Sequence, residues 1–291
     1  MSKVLSRREV LKLPAAVAAA GALVAAAPAR YRTLKGRVLK AVKFHMVREE
    51  LSIGDKFKLV KDLGFDGIEV HKRDMANPAE FHEASHRAKL PIHGILNSSD
   101  LDLRGAVDLA RNVGATSVLV VAGQVNAETP YDQNYTRTRA WIAGAAYFAR
   151  GSREKNLNQI DLLVENVWNE FLLSPIEMAR YIDEIKQPNV GVYFDIGNVV
   201  RFGWPEQWIR ILGRRVRKLD VKEYSRAIMN EQGMRKGFDV PIGEGDIDWA
   251  AVREALIEIG YSGWATAEVP GGDRKALADI ARRMDQVLGL A

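Results

Sequence analysis

Four acidic residues in the second half of the chain stand at or near the ends of short apolar runs. Glu165 follows the run 160–164 and Asp195 follows 190–194. Asp220 lies near the end of 216–221, with Glu223 close behind, and Glu268 follows 264–267. Earlier runs add Glu69, His71 and His93. Carboxylates brought together repel, so a cluster of them needs protons, cationic partners or a divalent metal ion. A set of hard oxygen ligands suits Mg²⁺, Mn²⁺ or Ca²⁺, and Co²⁺ or Zn²⁺ less strongly. Lys218 and Lys222 are near enough to Asp220 in sequence to pair with it. His93 reads either as a buried, hydrogen-bonded ring or as a functional one. His82 and His86, one helical turn apart on a polar segment, read as surface residues.

The elements that carry these residues alternate regularly. Strands are expected at 38–44, 67–70, 90–95, 117–121, 160–164, 190–194, 216–221 and 264–267. Helices are expected at 53–63, 78–89, 101–113, 131–158, 175–186, 205–212, 247–259 and 273–288, several closed by a following glycine (Gly64, Gly114, Gly260). About eight strand–helix units in this length match a closed parallel (β/α)8 barrel, in which reactive residues gather at the carboxyl ends of the strands. The rival, a doubly wound open sheet, loses ground because no glycine-rich phosphate loop follows any strand. Leu63-Gly64-Phe65-Asp66-Gly67-Ile68-Glu69 echoes Ile259-Gly260-Tyr261-Ser262-Gly263-Trp264, as two corners of one barrel would.

Four stretches are distinctive: Val164-Glu165-Asn166-Val167-Trp168-Asn169-Glu170, Val192-Tyr193-Phe194-Asp195-Ile196-Gly197-Asn198, Pro241-Ile242-Gly243-Glu244-Gly245-Asp246-Ile247-Asp248-Trp249 and Gly260-Tyr261-Ser262-Gly263-Trp264-Ala265-Thr266-Ala267-Glu268. Together they resemble the sugar phosphate isomerase/epimerase family, whose fold is the xylose-isomerase-like TIM barrel. The likeness is strongest to L-xylulose-5-phosphate 3-epimerases and runs from about residue 40 to 288. It implies a single divalent ion (Mn, Mg, Co or Zn) held by Glu165, Asp195, Glu268 and a fourth ligand. The family's usual fourth ligand is a histidine in a His-x-Lys-Asp run, where this chain has Asp220-Val221-Lys222-Glu223. Either Asp220 takes the fourth ligand role, which makes an all-oxygen site, or the site is weakened or lost. A substrate-binding histidine of the 3-epimerases falls on Asn198. The implied reaction removes a proton beside a carbonyl and returns it on the other face, with Glu165 and Glu268 as base and acid. Lys222 stabilises the oxyanion. His93, Asn166, Trp168 and Arg226 are the remaining expected sugar contacts. Family relatives also suggest a homo-oligomer.

Two alternatives stay open. The same apparatus would expel a leaving group β to the carbonyl of a 3-keto-glycoside, a lyase reaction. A secreted sugar-binding barrel with a degenerate metal site would do no chemistry.

The first residues read as an address. Ser6-Arg7-Arg8-Glu9-Val10-Leu11-Lys12, an apolar stretch and Ala27-Pro28-Ala29 form a twin-arginine signal peptide over 1–29, which leaves 30–291 as one barrel domain. The expected partner is the twin-arginine export machinery. The expected location is the periplasm, or the membrane through an uncleaved signal. Lys3, Arg7, Arg8 and Lys12 supply much of the formal net charge of +5, so the body gives no electrostatic case for nucleic acid. With no cysteine, thiol nucleophiles and cysteine-based metal sites are excluded. An exported protein meets a free sugar or glycoside more readily than a sugar phosphate.

Overall fold

A computed structural model describes residues 32–98, 100–152 and 157–291. The twin-arginine signal read from residues 1–29 lies outside them. Eight parallel strands close into a barrel in sequence order: β1 (Val38–Lys43), β2 (Gly67–His71), β3 (Ile92–Leu96), β4 (Ser117–Val120), β5 (Asp161–Glu165), β6 (Val190–Asp195), β7 (Val216–Val221) and β8 (Gly263–Ala267), with β8 pairing back to β1. The helices are α1 (Ile53–Asp62), α2 (Pro78–Ala88), α3 (Leu103–Val113), α4 (Tyr131–Ala149), α5 (Pro175–Ile185), α6 (Ile196–Val200), α7 (Pro205–Leu212), α8 (Arg226–Gln232), α9 (Trp249–Glu258) and α10 (Arg274–Leu288). The eight expected strands are all present. The short α6 and α8 were not expected. Among the described residues no helix is long and apolar enough to cross a membrane.

Local chemistry sets the helix ends. Side chains of Ser52, Asp102, Ser174, Asp248 and Asp273 accept the free backbone N–H groups at the starts of α1, α3, α5, α9 and α10. Pro175 occupies the first turn of α5. The helix expected over 131–158 ends at Ala149 instead. Past it, Ser152 and Leu157 exchange backbone hydrogen bonds of 2.9 Å, an antiparallel bridge that a continuing helix could not make.

Alternation along each strand sorts two cores. Outward residues such as Val42, Val70, Val118, Val164, Phe194 and Val221 are buried against the helices. Inside the barrel, Leu96, Leu119, Leu163 and Tyr193 form a small apolar cluster. Much of the rest of the interior is polar. The Tyr193 hydroxyl donates to Glu69 Oε2 at 2.9 Å and lies 3.0 Å from Thr266 Oγ1. Lys218 Nζ donates to the carbonyl oxygen and to Nδ1 of His93, each at 2.7 Å. The β2–β3 register slips between Ile68 and Glu69. At this bulge Gly94 leaves room that a Cβ would take, only 2.4 Å from Glu69 Oε1.

Candidate active site

The four carboxylates come together. Glu165, Asp195, Asp220 and Glu268 each offer an oxygen, and these oxygens lie within 4.8 Å of one another. They ride the ends of β5, β6, β7 and the residue after β8, on the face where such barrels carry their chemistry. Backbone geometry fixes Asp195 most tightly. It caps α6, accepting the Asn198 N–H on Oδ1 at 3.0 Å, which turns Oδ2 toward the centre. Asn166 grips the same residue, accepting the Asp195 N–H and donating to its carbonyl, both at 2.8 Å. Asn198 in turn donates to the Asn166 carbonyl at 2.9 Å, and the Trp168 indole donates to the Asn198 carbonyl at 2.8 Å.

Two lysines stand among the acids. Lys43, at the end of β1, pairs with Asp220 Oδ2 at 3.0 Å and Glu268 Oε1 at 2.6 Å. Lys222 pairs with Asp195 Oδ2 at 2.6 Å and closely with Glu268 Oε2. Gly197 makes room for Lys222, because a Cβ there would sit 2.3 Å from the lysine Cγ. Burial alone would lower the Lys43 ammonium. Asp220 and then Glu268 outweigh it and hold the group well above its ordinary value. Burial raises Glu165 well above the usual carboxylate range, reinforced by Glu268, Asp220 and Asp195. Burial also raises Asp220, against the pull of Lys43. Glu268 goes the other way, since Lys43 and Lys222 together overcome its burial.

The donor set fits a divalent ion. All four candidate ligands are hard oxygens. Asp220 Oδ1 is buried without a hydrogen-bond donor, and Asp195 Oδ2 is likewise unsatisfied apart from its ion pair. The four carboxylates and two lysines leave a formal charge that one divalent cation would balance.

Other expected site residues lie elsewhere. His93 faces the barrel interior. It is buried below the carboxylates, stacked at 4.4 Å on Trp264, with Nδ1 on Lys218 and Nε2 3.2 Å from Thr266 Oγ1. Burial and then the charge of Lys218 hold its ring well below the ordinary histidine value, and both ring nitrogens face partners inside the barrel. Arg226 is engaged by the backbone. It donates to the carbonyls of Val200 and Gly203 and lies over Trp204, strapping the turn after α6. Asn166, Trp168 and Asn198 brace Asp195 and also line an adjoining cavity. Lys218 pairs with His93, and the partner of Asp220 is Lys43. His82 and His86 sit side by side on α2, away from the site.

Lys43 is the residue that sequence reasoning missed. Its signal was a lysine ending an apolar strand, two residues after the inward-facing position of Ala41. Glu223, the neighbour considered beside Asp220, is a structural anchor. It accepts from Gly243 N (2.8 Å), Ile247 N (3.3 Å) and the Trp249 indole (2.8 Å), gathering the Pro-Ile-Gly-Glu-Gly loop. Glu223→Ala should cost about 3 kcal/mol by urea unfolding, since charged hydrogen bonds are lost and buried donors are left unpaired. Metal affinity should stay within about threefold. A large fall in affinity with unchanged stability would contradict this role.

A family model described as xylose isomerase-like TIM barrel matches residues 57–287. No curated protein matches the sequence. Among solved structures, a D-allulose 3-epimerase from Methylomonas sp. superposes with a TM-score of 0.69 at 16% identity, over 87% of this chain and 98% of that one. A 3-keto-D-glucoside 4-epimerase from E. coli gives 0.68 at 14% identity, over 86% and 99%. An L-ribulose 3-epimerase gives 0.69 at 18% identity, over 87% and 95%. At these identities the likeness concerns the fold.

Proposed function

We infer, because the chain belongs to the xylose isomerase-like TIM barrel family, that it is a divalent-metal-dependent sugar isomerase or epimerase. The observation that carries this reading is the convergence of Glu165, Asp195, Asp220 and Glu268 at the carboxyl end of the barrel. When bound there, a divalent ion supplies Lewis-acid polarisation of a substrate carbonyl. The chain's own residues supply the proton transfer. A hydrogen on the carbon beside a carbonyl is acidic enough to pass to a positioned carboxylate. Glu165 comes from β5 and Glu268 from beyond β8, so they approach a substrate in the mouth from different sides. One takes the proton at an Oε atom and the other returns one to the opposite face. Lys222, fixed by Asp195 and Glu268, presents its ammonium where negative charge develops on the substrate oxygen. Asn166 and Asn198 keep Asp195 from turning away.

The reaction class we favour is the 3-epimerisation of a ketose, as in L-xylulose-5-phosphate 3-epimerases. The reading extends to location. Residues 1–29 act as a twin-arginine signal, 30–291 form the barrel, and the export machinery delivers it folded to the periplasm or the outer face of the membrane. The substrate is then an unphosphorylated sugar or glycoside, met by a homo-oligomer. Cell fractionation reads the location directly.

The test of the chemistry is solvent exchange. Protein loaded with Mn²⁺, Mg²⁺, Co²⁺ or Zn²⁺ should incorporate deuterium at C3 of D-fructose, D-allulose or L-ribulose in D₂O, and a chelator should stop it. No incorporation with any of these metals and sugars would sink the reading.

A further inference from the structure

Beside the carboxylates, the loop between β5 and α5 and the turn after α6 enclose a cavity of about 280 Å³. Clefts for small molecules begin at roughly 300 Å³, so it has room for one ring and little more. It adjoins the acidic centre through Asn166 and Asn198, which hold Asp195 and also line the cavity. An aromatic wall connects the two. The Lys222 ammonium lies 5.3 Å from the Phe238 ring, Phe238 packs 5.0 Å from Trp168, and the Arg201 guanidinium lies 5.2 Å from Trp168.

The lining is mixed in a particular way. Phe202 is exposed at the rim, and Trp208 and Phe171 are buried behind it. Arg201 and Glu170 also face the cavity, and neither side chain makes an ion pair or hydrogen bond among the described residues. The wall is rigid. Glu170 and Leu172 both hold positive φ, at 57° and 55°, a conformation that persists only where surroundings enforce it. The enforcing contacts are Leu172 N to the Tyr131 hydroxyl (3.2 Å), Leu173 N to Glu177 Oε2 (3.0 Å) and Asn169 Nδ2 to the Gly123 carbonyl (2.7 Å).

We propose that this cavity is a subsite for a second sugar ring, so that the substrate is a disaccharide or glycoside whose reacting ring sits at the carboxylates. The proposal rests on the sugar-active reading above. A pyranose has apolar C–H faces and a rim of hydroxyls that both donate and accept. Phe202 and Trp208 suit the faces, while Arg201 as donor and Glu170 as acceptor suit the rim. A purely apolar group would offer neither the exposed Arg201 nor the exposed Glu170 a polar partner. An anionic group would meet Glu170 as well as Arg201.

Keto-disaccharides with a free fructose end provide the test. Exchange at C3 is compared for D-fructose, lactulose, maltulose and isomaltulose with Mn²⁺-loaded protein. At least one disaccharide should exceed fructose about tenfold in kcat/KM. Arg201→Ala and Phe202→Ala should bring it to within about threefold of fructose, with fructose itself unchanged. Arg201→Gln, which keeps donors, should retain part of the preference. If fructose exchanges and no disaccharide does better, the subsite is wrong while the chemistry stands. Fructose 6-phosphate outdoing every disaccharide would also overturn it, in favour of an anion site. If nothing exchanges, the chemistry fails and binding decides the subsite by saturation-transfer NMR. A preference for a disaccharide that Arg201→Ala abolishes supports it, and equal binding of fructose and the disaccharides overturns it.

Discussion

Lys43→Met should lower the unfolding free energy of the metal-free protein by about 3–5 kcal/mol, the usual result of stripping one partner from a buried ion pair. Lys43 is 2% exposed and Asp220 fully buried, and they meet at 3.0 Å from β1 and β7, the two strands that flank β8. Without the ammonium, Asp220 keeps a desolvated carboxylate beside Glu165, Asp195 and Glu268. The second substitution therefore matters more than the first. Asp220→Asn added to Lys43→Met should return most of the loss, because the charge that Lys43 served is gone. Urea unfolding of the parent, both single variants and the double variant gives the coupling, with about 2 kcal/mol or more expected for close buried charges. Adding Mn²⁺ should stabilise Lys43→Met more than the parent, since the ion replaces a missing positive charge in an oxygen cluster. A single-variant loss under about 1 kcal/mol would mean that Lys43 does not balance Asp220, as would a double variant worse than either single.

The same pair marks where sequence reasoning reached and where it stopped. Glu165, Asp195 and Glu268 were legible because alternation and strand length put them at strand ends, and a barrel brings strand ends together. Asp220 was legible as the odd member of a recognisable run, although its partner was not. The lysines beside it in sequence, Lys218 and Lys222, were the natural choices. The true partner is 177 residues away on β1, a separation that only barrel closure cancels. His93 illustrates a second limit. Its strand position suggested the mouth, but a register slip beside it turns the ring under the site, onto Lys218 and Trp264. Such a slip depends on how two strands pair, and neither strand's own pattern encodes it. Arg226 illustrates a third. A basic residue soon after β7 looked available for substrate, whereas two backbone carbonyls of the preceding turn claim it.

Glu165→Gln and Glu268→Gln should abolish C3 exchange alike, each by roughly 10²–10⁴-fold or more as expected for a lost general acid or base, while moving stability in opposite directions. Glu165 has no ammonium within ion-pair distance among the described residues, and Glu268, Asp220 and Asp195 crowd it. Replacing it by a neutral amide of the same shape relieves that repulsion, so the metal-free variant should unfold about 1 kcal/mol harder than the parent. Glu268 holds both Lys43 and Lys222, and a third of its side chain is open to solvent. Its amide leaves two ammonium groups with one acidic partner each, Asp220 and Asp195, and should cost about 2 kcal/mol, less than for a fully buried pair because water reaches the site. Both variants should bind Mn²⁺ more weakly, which calorimetry reads separately from the rate. A purely structural acid would lose stability together with function. A gain in stability on losing Glu165 identifies a residue held in an unfavourable place for its chemistry. If Glu165→Gln instead destabilises the metal-free protein and leaves exchange intact, Glu165 belongs to the scaffold, and the proton transfer must be sought on another side chain at the mouth.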